Sequence, residues 1–89
     1  MKAVITVTGK DTVGIIAMVS QECAHYGVNI VDISQSVMRE YFAMIMLVEI
    51  EGLSVAFADF AKALAELGQG RGLDIRVMHE DIFNSMHRI

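Results

Sequence analysis

The chain has 89 residues and a formal net charge of −4; 54% of it is hydrophobic and only 20% charged. That length allows one domain, which buries roughly 60–65% of the surface its unfolded form exposes, so the apolar excess is a first sign of an oligomer. The seven Lys and Arg residues are scattered rather than gathered into a basic stripe, which argues against nucleic acid, and Cys23, alone, can form neither an internal disulfide nor a cysteine metal cluster.

Residues 2–8 alternate with period two. Ala3, Ile5 and Val7 share one face and Lys2, Thr6 and Thr8 the other, as in a half-buried strand. The threonines also keep this start from reading as a signal peptide. Gly9-Lys10-Asp11-Thr12 breaks the strand, and Asp11 or Thr12 is placed to cap the helix expected over residues 13–26. Ile16, Val19 and Cys23 make its apolar stripe, flanked by Ile15 and Tyr26. Gly27 is positioned to end it in a left-handed conformation.

A second strand is expected over residues 28–38, with Val31, Ile33 and Val37 on one face and Asp32, Ser34 and Ser36 on the other. Arg39-Glu40 is a tight connection without the Gly or Asn that hairpin turns prefer. Residues 41–50 read as a third strand, apolar on both faces and therefore central and covered on both sides. The run from 41 to 48 is the longest apolar one, far below the ~18 residues of a membrane span. A soluble, cytoplasmic protein is expected, with no membrane contact.

Ser54 is the expected cap of a second helix, with Phe57, Phe60, Leu64 and Leu67 buried and Asp59, Lys62 and Glu66 wet. Gly68, Gly70 and Gly72 end it in a loose loop. Residues 73–78 alternate as a fourth strand, and residues 79–89 carry Ile82, Phe83, Met86 and Ile89 at helical spacing. The order predicts an α+β fold, the ferredoxin-like βαββαβ sandwich: a four-stranded, mostly antiparallel sheet with two helices on one face. A short C-terminal helix follows. The other sheet face needs cover from the tail helix and a second subunit, most simply in a homodimer.

The loop Gly9-Lys10-Asp11-Thr12-Val13-Gly14 leads into a helix N-terminus, where free N–H groups suit an anion or carboxylate. Ile15 and Ile16 stand where a phosphate loop needs Lys and Ser/Thr, and on spacing alone an ordinary strand–helix loop with a glycine for packing is the better reading. Of His25, His79, Glu80, Asp81 and His87, the two tail histidines lie eight residues apart on a helix, too far to share one ion, and no H-x-x-x-H pair exists; the set reads as solvated polar residues, and no metal site is expected. Cys23 lies on the buried stripe, where a thiol acts as a small hydrophobe. With no nucleophile elbow and no paired acid and base, the chain is not expected to be an enzyme or to need a cofactor. Met18, Met38, Met44, Met46, Met78 and Met86 read as core or subunit interface.

Taken together, Asp11-Thr12-Val13-Gly14-Ile15-Ile16-Ala17, Val19-Ser20, Gly27-Val28-Asn29-Ile30 and Asp32-Ile33-Ser34-Gln35 resemble the opening half of an ACT domain. The element order extends the resemblance over the whole chain, as one domain (1–89) with a 1–78 core and a helical tail. Asp81-Ile82-Phe83 and Met86-His87-Arg88-Ile89 are similar to the ends of small ACT-domain proteins related to glycine-cleavage transcriptional repressors. The resemblance implies a regulatory module that binds an amino acid or related small molecule between subunits, usually in side-by-side dimers. Residue by residue it implies Asp11, Val13, Gly14 and Ile15 from the loop of one subunit, and Asn29 and Ile30 from the second-strand start of its partner. It also leaves open a protein-interaction module that acts in trans on an enzyme or transcription regulator.

Overall fold

The structure, a computed structural model, describes residues 1–10 and 12–86. The elements run β1 (Lys2–Lys10), α1 (Ile15–His25), β2 (Asn29–Met38), β3 (Tyr41–Glu49), α2 (Phe57–Gln69), β4 (Leu73–His79) and α3 (Glu80–Met86). The strands form one sheet in the order β2-β3-β1-β4, antiparallel at every neighbouring pair. Each long helix thus carries the chain from an inner strand to an outer one, the ferredoxin-like arrangement.

One sheet face and the helices make the core. Ala3, Ile5 and Val7 of β1 meet Val48, Met46 and Met44 of β3 across the ladder, so all six point to the same side. Ile15, Val19 and Cys23 of α1 and Phe60 and Leu64 of α2 close over them, all buried. The α1 stripe therefore runs through Ile15, and Ile16 is exposed. The cause lies at the helix start. Gly14, with φ +86°, takes the N-cap position without a side-chain bond, so Thr12 is not the cap and the helix begins at Ile15; Asp11, the other expected cap, lies outside the described residues.

At the far end Gly27 is left-handed as expected. The Val28 amide donates to the Cys23 carbonyl at 2.8 Å and the Gly27 amide to that of Ala24 at 3.2 Å, a Schellman closure. Ser54 does not cap α2. Its amide donates to the Tyr26 carbonyl at 2.9 Å, which ties the β3–α2 connection to the end of α1, and the helix starts at Phe57 after Ala56. Gly68 does not end α2 but lies buried within it, where a Cβ would stand 2.7 Å from Ile75 Cγ1.

β2 departs most from expectation. A bulge between Ile30 and Asp32 takes Val31 out of the alternation, so Ile33, Gln35 and Val37 share the helix side, opposite Met46, Met44 and Phe42. As an edge strand it stays exposed from Val31 to Met38. β3 is central, but within the chain only one of its faces is covered; Ile45, on the other, is 45% exposed. α3 packs on that second face against β1 and β4, where Val4 is buried. β4 extends through His79, so the tail helix starts one residue later than expected, and its last expected residues, 87–89, lie outside the described residues.

Candidate functional site

The β1–α1 connection forms a small recess at the mouth of α1. Helix geometry leaves the amides of Ile15, Ile16 and Ala17 without intrahelical acceptors, while the Met18 amide donates to the Gly14 carbonyl at 2.9 Å. A cavity of about 190 Å³ opens there, lined by Thr12, Gly14, Ile15, Ile16, Ala17 and Phe42. A Cβ added to Gly14 would meet nothing within 4 Å, so the backbone is bare toward solvent. Ile15, which also lines the recess, is buried in the core. Val13 projects outward, 92% exposed. Asp11 lies outside the described residues.

Arg71 was not legible as part of this region. Its guanidinium Nη2 donates to the Val13 carbonyl at 3.0 Å, pinning the α2–β4 loop to the β1–α1 loop. The two residues are 58 apart in sequence, and no local pattern links them.

Asn29 and Ile30 stand elsewhere. They pair with Glu49 and Val48, at the opposite end of β3 from Phe42. Glu49 lies seven steps along the strand from Phe42, roughly 23 Å at about 3.3 Å per step. One chain therefore brings Val13, Gly14 and Ile15 together and holds Asn29 and Ile30 away from them.

Other cavities fit the expected chemistry less well. The largest of those described, about 510 Å³, lies between the first residues and the start of α3, lined by Met1, Lys2, His79, Glu80, Asp81 and Ile82. Beside it the Met1 amine is 2.8 Å from Glu49 Oε1; that hydrogen bond raises the pKa of the amine and lowers that of the carboxylate. Its volume exceeds that of the recess, and its lining mixes charged Lys2, Glu80 and Asp81 with apolar Met1 and Ile82. His79 stacks on Phe57 with ring centres 4.0 Å apart, and His25 sits edge-on to Tyr26. Among the described residues no three His, Cys, Asp or Glu side chains converge as a metal site would require; His87 lies outside them. Burial, with a smaller contribution from Glu22, pushes the Cys23 thiol up to about 11.

With this geometry in place, the comparisons are specific. The model of the ACT domain family matches residues 2–78. A UPF0237 protein of Clostridium acetobutylicum is 51% identical over 89 residues, covering 100% of both chains. The solved structure of an ACT domain protein from Streptococcus pneumoniae superposes with a TM-score of 0.81 at 40% identity, covering 98% of each chain. A structure named as a glycine cleavage system transcriptional repressor gives a TM-score of 0.70 at 26% identity, over 85% of this chain and 43% of that one.

Proposed function

The chain belongs to the ACT domain family, and from that premise we propose that it is a regulatory module, without catalytic activity, that holds an amino acid or related metabolite at a homodimer interface. The observation that carries this reading is the divided site. The recess at Gly14 is smaller than the ~300 Å³ at which ligand pockets usually begin, and the remaining expected contacts stand roughly 23 Å away on the same chain. Two copies can supply what one lacks. Asp11, Val13, Gly14 and Ile15 of one copy and Asn29 and Ile30 of the other would form the pocket. Helix amides at Ile15–Ala17 (residues 15–17) would hold a ligand carboxylate, and the Asn29 amide offers a donor and an acceptor to the rest. Regulation also accords with the name of the glycine-cleavage repressor relative. The proposed setting is the cytoplasm, with the whole chain acting as one domain and no cofactor, metal, membrane or nucleic acid involved.

Thermal unfolding against a panel of amino acids at millimolar concentration tests the reading. A ligand at a hundred times its Kd adds about 2.7 kcal/mol and raises the melting temperature in a concentration-dependent way. Asn29→Ala should abolish the rise while leaving the dimer intact. No shift with any member of the panel would sink the ligand claim.

A protein-interaction module acting in trans is the second reading. Ile82 and Met86 are exposed one turn apart on α3, an outward apolar pair suited to a protein partner. A stoichiometric partner that co-purifies without added ligand, and is lost on Ile82→Asp, would favour it.

A further inference from the structure

Residues 68–72 read Gly-Gln-Gly-Arg-Gly, with Arg71 the one charged side chain among them. The backbone beneath it is firmly seated. Its amide donates to the Gly68 carbonyl at 2.9 Å, and the Gly72 amide to that of Gln69 at 3.3 Å. Gly68 is buried against Ile75, and the Gly72 carbonyl would stand only 3.0 Å from a Cβ on Gly9. The turn that carries Arg71 therefore rests on both β4 and β1.

The β1–α1 loop has no such footing. Thr12, Val13 and Gly14 are all exposed, and open space surrounds Gly14. Among the described residues, the one side-chain hydrogen bond to residues 12–14 comes from Arg71 Nη2 to the Val13 carbonyl. The next carbonyl, that of Gly14, accepts the Met18 amide and so opens the hydrogen bonding of α1. A firmly based side chain thus holds a loosely based loop, right where the helix begins.

We infer that Arg71 is a latch: from the α2–β4 turn it sets the position of the β1–α1 loop and transmits movement between the two. A guanidinium suits the task, because it stays charged at any physiological pH and carries its donors on a rigid plane at the end of a long stem. The footing gives the latch a direction. Releasing it should free the β1–α1 loop and leave the α2–β4 turn in place. That turn runs straight into β4, and β4 into α3. The latch therefore joins the recess at one end of the sheet to the tail helix at the other, where Ile82 and Met86 are exposed. Its use in carrying a ligand's arrival to that surface rests on the proposed function; the latch itself belongs to the ligand-free chain.

Amide hydrogen exchange on the ligand-free protein is the test. Arg71→Met keeps most of the stem and removes the donors. It should speed exchange at Met18 roughly three- to tenfold, the loss of one net hydrogen bond. Gly72, held by its own turn, and Val28, at the far end of α1, should keep their rates. Arg71→Lys retains a donor on a long stem and should recover part of the protection. Transmission has a separate readout. Gly72→Ala strains a backbone position with φ +72°, and should speed exchange at Met18 when Arg71 is present but add nothing to Arg71→Met. Met18 exchange that is unchanged in Arg71→Met overturns the latch. Equal acceleration at Val28 also overturns it, since that marks a general loss of stability. Additive effects of the two substitutions overturn the transmission. None of these results depends on whether an amino acid binds, so the latch and the proposed function fail separately.

Discussion

At Gly27 the backbone has φ +77°, and an added Cβ would collide with the carbonyl oxygen of Gly52. Gly27→Ala should therefore cost more than the ~1–2 kcal/mol of a left-handed residue, because the α1–β2 and β3–α2 connections would have to part. Urea unfolding should show a clear drop in midpoint at unchanged slope. Gly14 is also left-handed but open, so it contributes conformation rather than close packing. Cys23 makes a pH prediction. Burial raises its pKa to about 11, so the folded state favours the neutral thiol more than the unfolded chain does. That contribution is complete below the unfolded value near 9 and is lost as pH rises toward 11. The melting temperature should fall across that window, and Cys23→Ala should flatten the fall.

The helices are held on the sheet by few, large contacts. Phe60 is fully buried on α2 and meets Tyr26 edge-on at 5.7 Å between ring centres, joining both helices' ends to the core. Phe60→Ala should destabilise by about 3–5 kcal/mol, enough to take most of the stability of so small a domain, as chemical denaturation would show. Element type was legible along the chain because side-chain period reports it: the alternation of Leu73, Asp74, Ile75 and Arg76 could only be a strand, and Phe57, Phe60 and Leu64 only a helix. Element ends were less legible. Ser54 has the chemistry of a helix cap, yet its amide answers to Tyr26, and Gly68 has the chemistry of a terminator, yet its missing side chain makes room for Ile75. Both outcomes depend on partners distant in sequence.

For the whole molecule, a site divided between copies has a signature that no single-chain site can imitate. Gly14→Asp places a negative side chain at the recess, and Asn29→Ala removes the opposing amide; each alone should abolish ligand binding. Mixed in equal amounts and allowed to exchange, the two variants should recover roughly a quarter of the wild-type sites, since half the dimers are mixed and each carries one intact pocket. Titration calorimetry with an amino acid that binds the wild-type protein would count them. A site formed within one chain would recover none.

The order of strands and helices, the Schellman glycine at position 27 and the loop ahead of α1 could all be read from the sequence, because each rests on local chemistry: side-chain period, backbone freedom and the orphan amides of a helix start. The tertiary structure alone decided that Val31 falls out of register in a bulge, that Arg71 reaches the Val13 carbonyl, and that Gly14 and Asn29 lie at opposite ends of β3. Those are facts of strand pairing and of distance through space. No local pattern encodes them, because each depends on where the sheet places residues far apart along the chain.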